Sequence, residues 1–287
     1  MLEIKPSGQA CGATVRGVDL SRSLDAATIT SIRRAWMQHH VLAFPGQRLT
    51  DADLERITLA FGTFGDEPYF VPIDGSEHVV ALTRRADEKA PVFAEVWHSD
   101  WSFMPEPPLG TCLYSLVIPP VGGNTGFVNQ QMALAAMPAA LRGKLEGRLA
   151  LHSAAAGYAP DGMYGEADSE SDRSMKILYS ETAREVYPHP FIQRHPESGN
   201  ETLLGCLGYI VGVQDMDDAA ALELLLELYA WQTRPEFQYT HEWEEGMLVL
   251  WDNRSVLHKA NGGYDGYDRE LHRITIAADR DKFLSPG

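Results

Sequence analysis

The sequence predicts a mainly β fold with flanking helices. From residue 92 onward, short strand-forming stretches recur between Gly and Pro turn signals, and only a few segments have helical spacing. Apolar residues make up 44% of the chain, which is enough for a substantial core. A jelly roll of the cupin type fits this pattern best.

The first 90 or so residues predict a mixed α/β part. Asp25 is a plausible N-cap for one helix, and Thr50 begins a capping-box-like start to another. The predicted hairpin, helix, buried strand, second helix and further strand lie at residues 2–20, 25–40, 41–44, 50–61 and 78–83.

The remainder predicts strands interrupted by two helices. The strands are expected at residues 92–102, 111–118, 149–154, 191–194, 202–213, 238–243, 247–251 and 271–277. The helices are expected at residues 139–145 and 217–231, and the second carries Leu222, Leu225, Leu226 and Tyr229 on a predicted core face. Residues 158–185 are rich in Gly, Asp and Ser, which indicates either a mobile active-site lid or a disordered loop.

Nothing resembles a linker or an internal repeat, so we expect a single domain over residues 1–287. In it, an α/β part of about residues 1–90 packs on a jelly-roll core of about residues 91–287. The net charge of −16 argues against a nucleic-acid partner. No apolar run could span a membrane and the N-terminus lacks signal-peptide features, so we expect a cytoplasmic protein. The three cysteines are isolated, which makes a disulfide framework or zinc-cysteine site improbable.

Three residues suggest a metal site. On a strand, the middle residue of His98-Ser99-Asp100 points away, so His98 and Asp100 can reach one ion together. His258 follows the apolar strand at residues 247–251, and two His with one carboxylate form the facial triad of Fe(II) oxygenases. The alternative is that His98 and Asp100 are polar groups of the surface or of a cleft and that His258 is an ordinary, partly exposed histidine.

Two arginines follow the distant histidine. On an extended strand Arg269 and Arg273 point to one side, where each guanidinium could bind a carboxylate or similar anion. They could also be solvated charges at a strand edge. The turn at residues 119–125 could place the Thr125 hydroxyl beside a bound acid, or it could be a plain turn.

These pieces, in this order, resemble the taurine and 2,4-dichlorophenoxyacetate dioxygenase family. The resemblance covers nearly the whole chain and is carried by WHSDWSF (97–103), PPVGGNT (119–125), WDNRSVLH (251–258) and RELHR (269–273). Members of that family are Fe(II)- and 2-oxoglutarate-dependent oxidoreductases on a double-stranded β-helix. The combined motifs are specific, although any one alone would not be.

Carried over residue by residue, the resemblance implies iron bound by His98, Asp100 and His258. It implies 2-oxoglutarate held by Thr125 and Arg269, with O₂ as the second cosubstrate. Trp251 would wall the cosubstrate pocket or serve as a core residue, and Arg273 matches the position that meets the substrate's anionic group.

The resemblance also bears on the substrate. Asp100 favours hydroxylation or a similar oxidation, because related halogenases carry a small residue there. The His and Asn of members that act on taurine are missing here, which makes taurine itself doubtful. Trp101, Tyr69 and Phe70, together with Arg273, suggest a small carboxylate or sulfonate with an apolar or aromatic body.

Two other functions stay open at this point. Two His and one Asp also suit a Zn²⁺ hydrolase, and a non-catalytic barrel that binds small acids is a third possibility. Neither explains Thr125 and Arg269 at their positions. Dimers or tetramers are common in the resembling family, so we expect a homo-oligomer.

Overall fold

The computed structural model describes residues 2–278. Within them the strands, numbered β1 to β16 in chain order, are Glu3–Pro6, Ala13–Arg16, Val41–Phe44, Thr63–Phe64, Val80–Arg84, Gly110–Val117, Thr125–Asn129, Leu149–Ser153, Val186–Pro190, Ile192–Arg194, Glu201–Leu203, Ile210–Val213, Gln238–His241, Leu248–Asp252, Val256–Ala260 and Arg269–Ala277. The α-helices, α1 to α7, are Ala26–His39, Asp51–Phe61, Gln130–Ala135, Ala139–Leu145, Ala155–Tyr158, Glu166–Ser169 and Asp218–Gln232.

The largest sheet takes strands from both ends of the described chain. Its order is β1-β2-β3-β14-β6-β16-β4, and β5 also pairs with β16. A second sheet has the order β13-β7-β15, a third has the order β12-β8-β9, and β10 pairs with β11. Early and late segments of the sequence therefore share one hydrogen-bonded layer.

Strand β14 lies at the centre and is buried on both faces. Leu248 and Leu250 pack in a core with helices α1 and α2, where Trp36 is fully buried. Val249 and Trp251, which point the other way, pack in an inner core that also holds Phe127 of β7. This two-sided burial explains why the strand reads as a continuous apolar run.

Several predicted elements are confirmed, including both helix starts. The Asp25 side chain accepts a hydrogen bond from the Thr28 backbone N–H and caps α1. Thr50 and Asp53 form a reciprocal capping box at the start of α2. The hairpin, the buried strand Val41–Phe44 and the helix Ala139–Leu145 also lie where the sequence predicts them.

The predicted strand at residues 92–102 is wrong. Apart from an isolated bridge at His98, this stretch consists of turns, bends and irregular backbone, and Ala94 and Trp101 have positive φ angles of 62° and 49°. A left-handed residue interrupts an extended strand, so the alternation of residues there cannot decide which side chains meet.

Two further predictions need correction. The stretch 202–213 contains two strands, β11 and β12, rather than one. In helix α7, Leu225 is buried as predicted, but Leu222 and Leu226 are exposed, and Leu224 and Leu228 face the core instead. Helix α7 carries leucines on all of its faces, so its apolar pattern does not select one of them. Packing against neighbouring elements decides which leucines are buried.

The predicted mainly β class with flanking helices is confirmed. No helix within residues 2–278 is both long and apolar enough to cross a membrane. The division into an α/β part and a core at about residue 90 stays a prediction.

Candidate active site

His98, Asp100 and His258 come together as the sequence predicts. Their ligand atoms all lie within 4.8 Å of one another, and all three residues are buried. The Asp100 Oδ1 atom is 3.7 Å from His98 Nε2 and 3.5 Å from His258 Nε2. Within residues 2–278 no other group of three His, Cys, Asp or Glu side chains could hold an ion in this way.

The backbone brings the two histidines together through a bridge rather than through strand alternation. The His98 N–H donates to the His258 carbonyl at 3.0 Å, and the His258 N–H donates back at 2.8 Å. The two imidazole rings are 4.2 Å apart. His258 lies on β15, which pairs with β7, so this sheet fixes the position of one candidate ligand.

The protonation states suit metal binding. Burial lowers the pKa of His98 from 6.5 to about 3, which keeps its imidazole neutral. Burial alone would raise the pKa of Asp100, but the charge of Arg273 and the contact with His258 hold it below its ordinary value. His98 Nδ1 lies 2.9 Å from the Val96 carbonyl, which fixes its proton there and leaves Nε2 free to bind a metal. These residues therefore fit a divalent iron ion with two nitrogen ligands and one oxygen ligand.

Arg269 is a buried cation that pairs with no carboxylate among the described residues. Its Nη2 donates to the Gly123 carbonyl at 3.2 Å, and its guanidinium lies 5.8 Å from the Tyr264 ring. Its Nε atom is buried without a hydrogen-bond partner, and burial lowers its pKa. Burying an unpaired charge costs free energy, and a bound anion would offset that cost for this arginine.

Thr125 begins β7 close to this arginine, since the turn containing Gly123 immediately precedes it. Its hydroxyl oxygen accepts a hydrogen bond from the Trp243 indole N–H at 3.0 Å. An indole only donates, so the Thr125 hydroxyl proton remains available to a ligand. Trp251, 2% exposed, packs against the His258 ring at 4.8 Å, so it supports a predicted ligand from within the core.

Arg273 reaches the metal-ligand group, and it is not free. Its Nη2 is 3.2 Å from Asp100 Oδ1, and its Nε is 3.3 Å from Glu67 Oε1. The guanidinium also lies over the rings of Trp101 and Phe70, at 4.9 and 5.6 Å. Arg269 and Arg273 are both buried on β16, as the strand spacing predicts, while His272 between them pairs with Asp51.

An aromatic cluster surrounds Arg273. Tyr69, Phe70 and Trp101 are all buried in it, and Tyr69 stacks on Tyr158 with a centroid distance of 4.1 Å. Beside it lies a small apolar pocket, lined by His98 together with Phe93, Tyr158, Met163, Tyr164 and Tyr209. The pocket therefore gives an apolar molecule a position next to a predicted iron ligand.

The segment 158–185 packs beside the metal-ligand group. Tyr158 and Tyr164 belong to the aromatic cluster, and Phe70 forms a backbone bridge with Ile177. The segment is thus close enough to act as the predicted lid, and its motion stays a prediction.

Four residues of the site were missed from the sequence. They are Glu67, Thr111, Tyr209 and Asn253, to which the sequence analysis assigns no role. Asn253 lies inside the quoted motif at residues 251–258, which was a usable signal. The position of Thr111 beside Asp100 depends on strand pairing and left no local signal.

The profile of the taurine catabolism dioxygenase TauD/TfdA family matches residues 3–275 of this chain. The chain belongs to this family. It is similar to an alkylsulfatase of Acinetobacter baylyi, with 32% identity over 97% of this chain and 86% of the relative. It is also similar to an α-ketoglutarate-dependent sulfate ester dioxygenase of Pseudomonas putida, with 30% identity over 97% of this chain and 90% of the relative.

Comparison with solved structures gives the same result. A taurine dioxygenase from Burkholderia xenovorans superposes with a TM-score of 0.78 and 29% identity, over 97% of this chain and 90% of that one. The predicted reaction class is thereby confirmed: the protein is a dioxygenase that depends on Fe(II), 2-oxoglutarate and O₂. The hydrolase and binding-protein alternatives are not favoured.

Proposed function

We propose that His98, Asp100 and His258 hold the iron, that Arg269 and Thr125 bind the far carboxylate of 2-oxoglutarate, and that the substrate is a small organic anion. The observation that carries this proposal is the buried guanidinium of Arg269, which lacks a carboxylate partner among the described residues. A dicarboxylate cosubstrate supplies the missing charge.

For the substrate we propose an apolar or aromatic body with one carboxylate, sulfonate or sulfate group. Arg273 is the candidate anion binder, and the apolar pocket beside His98 suits the body. Relatives named for sulfate esters and for 2,4-dichlorophenoxyacetate support molecules of this kind. Trp101, Tyr69 and Phe70 would pack against the substrate next to Arg273, and Trp251 would wall the cosubstrate side.

When bound, the iron supplies the oxidation of an unactivated C–H bond with release of succinate and CO₂. The chain's own part is to bind and orient. Arg269 and Thr125 fix one end of the cosubstrate, and the aromatic cluster excludes water from the pocket. We propose hydroxylation as the outcome, with desaturation as the main alternative.

Anaerobic titration of the Fe(II)-loaded protein with 2-oxoglutarate tests the cofactor roles. We expect a visible charge-transfer band that disappears in His98→Ala and that needs at least about tenfold more 2-oxoglutarate in Arg269→Ala, as expected when a buried charge-assisted contact is lost. Arg142→Ala, which removes a partly exposed arginine paired with Glu201, is the matched control. An unchanged titration in Arg269→Ala would contradict the assignment of that residue.

A substrate screen tests the rest. Oxygen uptake would be measured with alkyl sulfates, aryloxy acids and sulfonates, each paired with a neutral isostere. We expect the anions to be preferred and the preference to be lost in Arg273→Ala, provided that the charge-transfer band shows intact cofactor binding. Equal discrimination in this variant would overturn the role of Arg273.

We also propose the finer features of the fold. The large sheet and the β13-β7-β15 sheet, which share an inner core, would form the double-stranded β-helix of a single domain. A cytoplasmic location is supported by Cys11, Cys112 and Cys206, which are all free and buried. We propose a homo-oligomer, supported by the exposed Leu222 and Leu226 on α7.

A further inference from the structure

A chain of buried hydrogen bonds ends on Asp100. The Trp251 indole N–H donates to Asn253 Oδ1 at 2.9 Å, and Asn253 Nδ2 donates to Thr111 Oγ1 at 2.9 Å. The Thr111 hydroxyl in turn donates to Asp100 Oδ2 at 2.7 Å. None of the four residues is more than 2% exposed, so water does not compete for these groups.

The direction of this chain follows from the donors. The indole N–H of Trp251 can only donate, which turns the Asn253 oxygen toward it and the Asn253 amino group toward Thr111. Because the Thr111 oxygen then accepts from Asn253, its single proton goes to Asp100 Oδ2. The other oxygen, Oδ1, is the one that faces the two histidine Nε2 atoms.

Strand pairing holds the participants in place. Thr111 of β6 lies directly opposite Trp251 of β14 in the middle of the large sheet. The backbone carbonyl of Asn253 accepts a hydrogen bond from the Ser99 hydroxyl at 2.7 Å. Asn253 therefore contacts both Thr111 and the turn between His98 and Asp100.

We propose that Thr111 and Asn253 are positioning residues that orient the Asp100 carboxylate so that it offers Oδ1 alone to the iron. This inference rests on the proposed iron role of His98, Asp100 and His258. With Oδ2 occupied by Thr111, Asp100 serves as a one-oxygen ligand. That leaves open the positions that 2-oxoglutarate and O₂ need. Partners of metal ligands that act in this way typically change metal affinity 10- to 100-fold.

The test is a titration of the metal-free protein with Mn(II). Binding is measured by the loss of the electron paramagnetic resonance signal of aqueous Mn(II). We expect Thr111→Val to raise the Mn(II) Kd by roughly 10- to 100-fold and Thr111→Ser to restore it to within about threefold of the parent. Thr58→Val is the matched control, because Thr58 is a fully buried threonine on α2. The proposal would be overturned if a folded Thr111→Val variant had the same Mn(II) Kd as the parent, or if Thr111→Ser did not restore the affinity.

A double-mutant cycle separates the two positioning residues from a general loosening of the fold. If Asn253 acts through Thr111, Asn253→Ala raises the Mn(II) Kd in the parent but has little further effect in Thr111→Val. If Asn253→Ala raised the Mn(II) Kd by the same factor in both backgrounds, the proposal that Asn253 acts through Thr111 would be overturned. His98→Ala distinguishes the underlying assumption: if it leaves the Mn(II) Kd unchanged, the proposed iron site itself has failed.

Discussion

Glu67 is a buried carboxyl at the proposed anion-binding position. It accepts a hydrogen bond from the Trp101 indole N–H at 3.1 Å and lies beside Arg273. An incoming anion at Arg273 would therefore meet a negative group already paired with it. Glu67 is part of the reason why the charge of Arg273 can be buried in the absence of substrate.

This carboxyl makes the metal-free protein sensitive to pH. Burial raises the pKa of Glu67 from 4.5 to about 7, although the charge of Arg273 opposes the shift. The folded protein thus binds this proton more tightly than the unfolded chain does. The contribution of that proton to the free energy of unfolding is lost as pH rises from about 4.5 through about 7.

Glu67→Gln changes the free energy of unfolding of the metal-free protein. We expect this change to be more favourable at pH 8 than at pH 5, by an amount on the order of 2 to 3 kcal/mol. Urea unfolding at the two pH values measures the difference. Asp19→Asn, which changes an exposed carboxyl, is the control. A stability difference that is the same at both pH values would contradict the prediction.

At the scale of elements, the segment 158–185 is fastened to the loop at residues 84–94. The Asp172 carboxylate accepts the backbone N–H groups of Lys89 and Ala90 at 2.7 and 2.8 Å. The Ser174 N–H donates to Glu88, a carboxylate that is itself buried beside Arg84. These contacts hold the segment over the aromatic cluster.

Removing one of these contacts tests whether the segment can open separately. In Asp172→Ala we expect faster amide hydrogen exchange over residues 158–185, and a change of no more than about 1 kcal/mol in global stability, because the lost hydrogen bonds are at the surface. Asp161→Ala, in which an exposed contact with Arg184 inside the same segment is lost, is the control. Unchanged exchange in Asp172→Ala would count against a lid that opens at this contact.

The elements also show what the sequence could predict. Strand and helix positions with clear periodicity or caps, such as α1 and β14, were predictable because local patterns determine them. The three residues of the candidate metal site were predictable from their motifs, although the predicted strand around His98 was wrong. Thr111 was not predictable as a partner of Asp100, because the contact exists only after β6 pairs with β14.

At the scale of the whole molecule, a buried ionic network joins the first helix to the turn that precedes β15. Arg254 pairs with Asp252 and with Glu197, each at 2.9 Å, and Arg33 of α1 contacts the same Glu197 at 2.6 Å. His195 Nε2 is 2.8 Å from Asp252 Oδ2. Ion pairs therefore connect segments that are far apart in the sequence.

We expect Arg254→Ala to lower the free energy of unfolding by about 3 to 5 kcal/mol, since it leaves the Asp252 carboxylate buried without its main counter-charge. Chemical denaturation measures this loss. Arg234→Ala, which breaks a surface pair with Glu236, should cost no more than about 1 kcal/mol. Equal losses in the two variants would show that the network does not stabilise the fold.

The proposed oligomer has a surface that can be tested. Leu222 and Leu226 on α7 are 53% and 51% exposed, and Val211 on the adjoining β12 is 52% exposed. We expect the double variant Leu222→Glu, Leu226→Glu to sediment as a smaller species than the parent, because charged residues oppose apolar association. If the parent already sediments as a monomer, the proposal of an oligomer is wrong.

The strand order of the large sheet has a consequence for biosynthesis. Strand β16, late in the chain, pairs with β6, β5 and β4 and carries both arginines of the candidate site, Arg269 and Arg273. Until the ribosome has released this segment, β6 has an open edge that can pair with other nascent chains, and the sheet cannot close. A chaperone that shields this edge should therefore raise the yield of soluble protein.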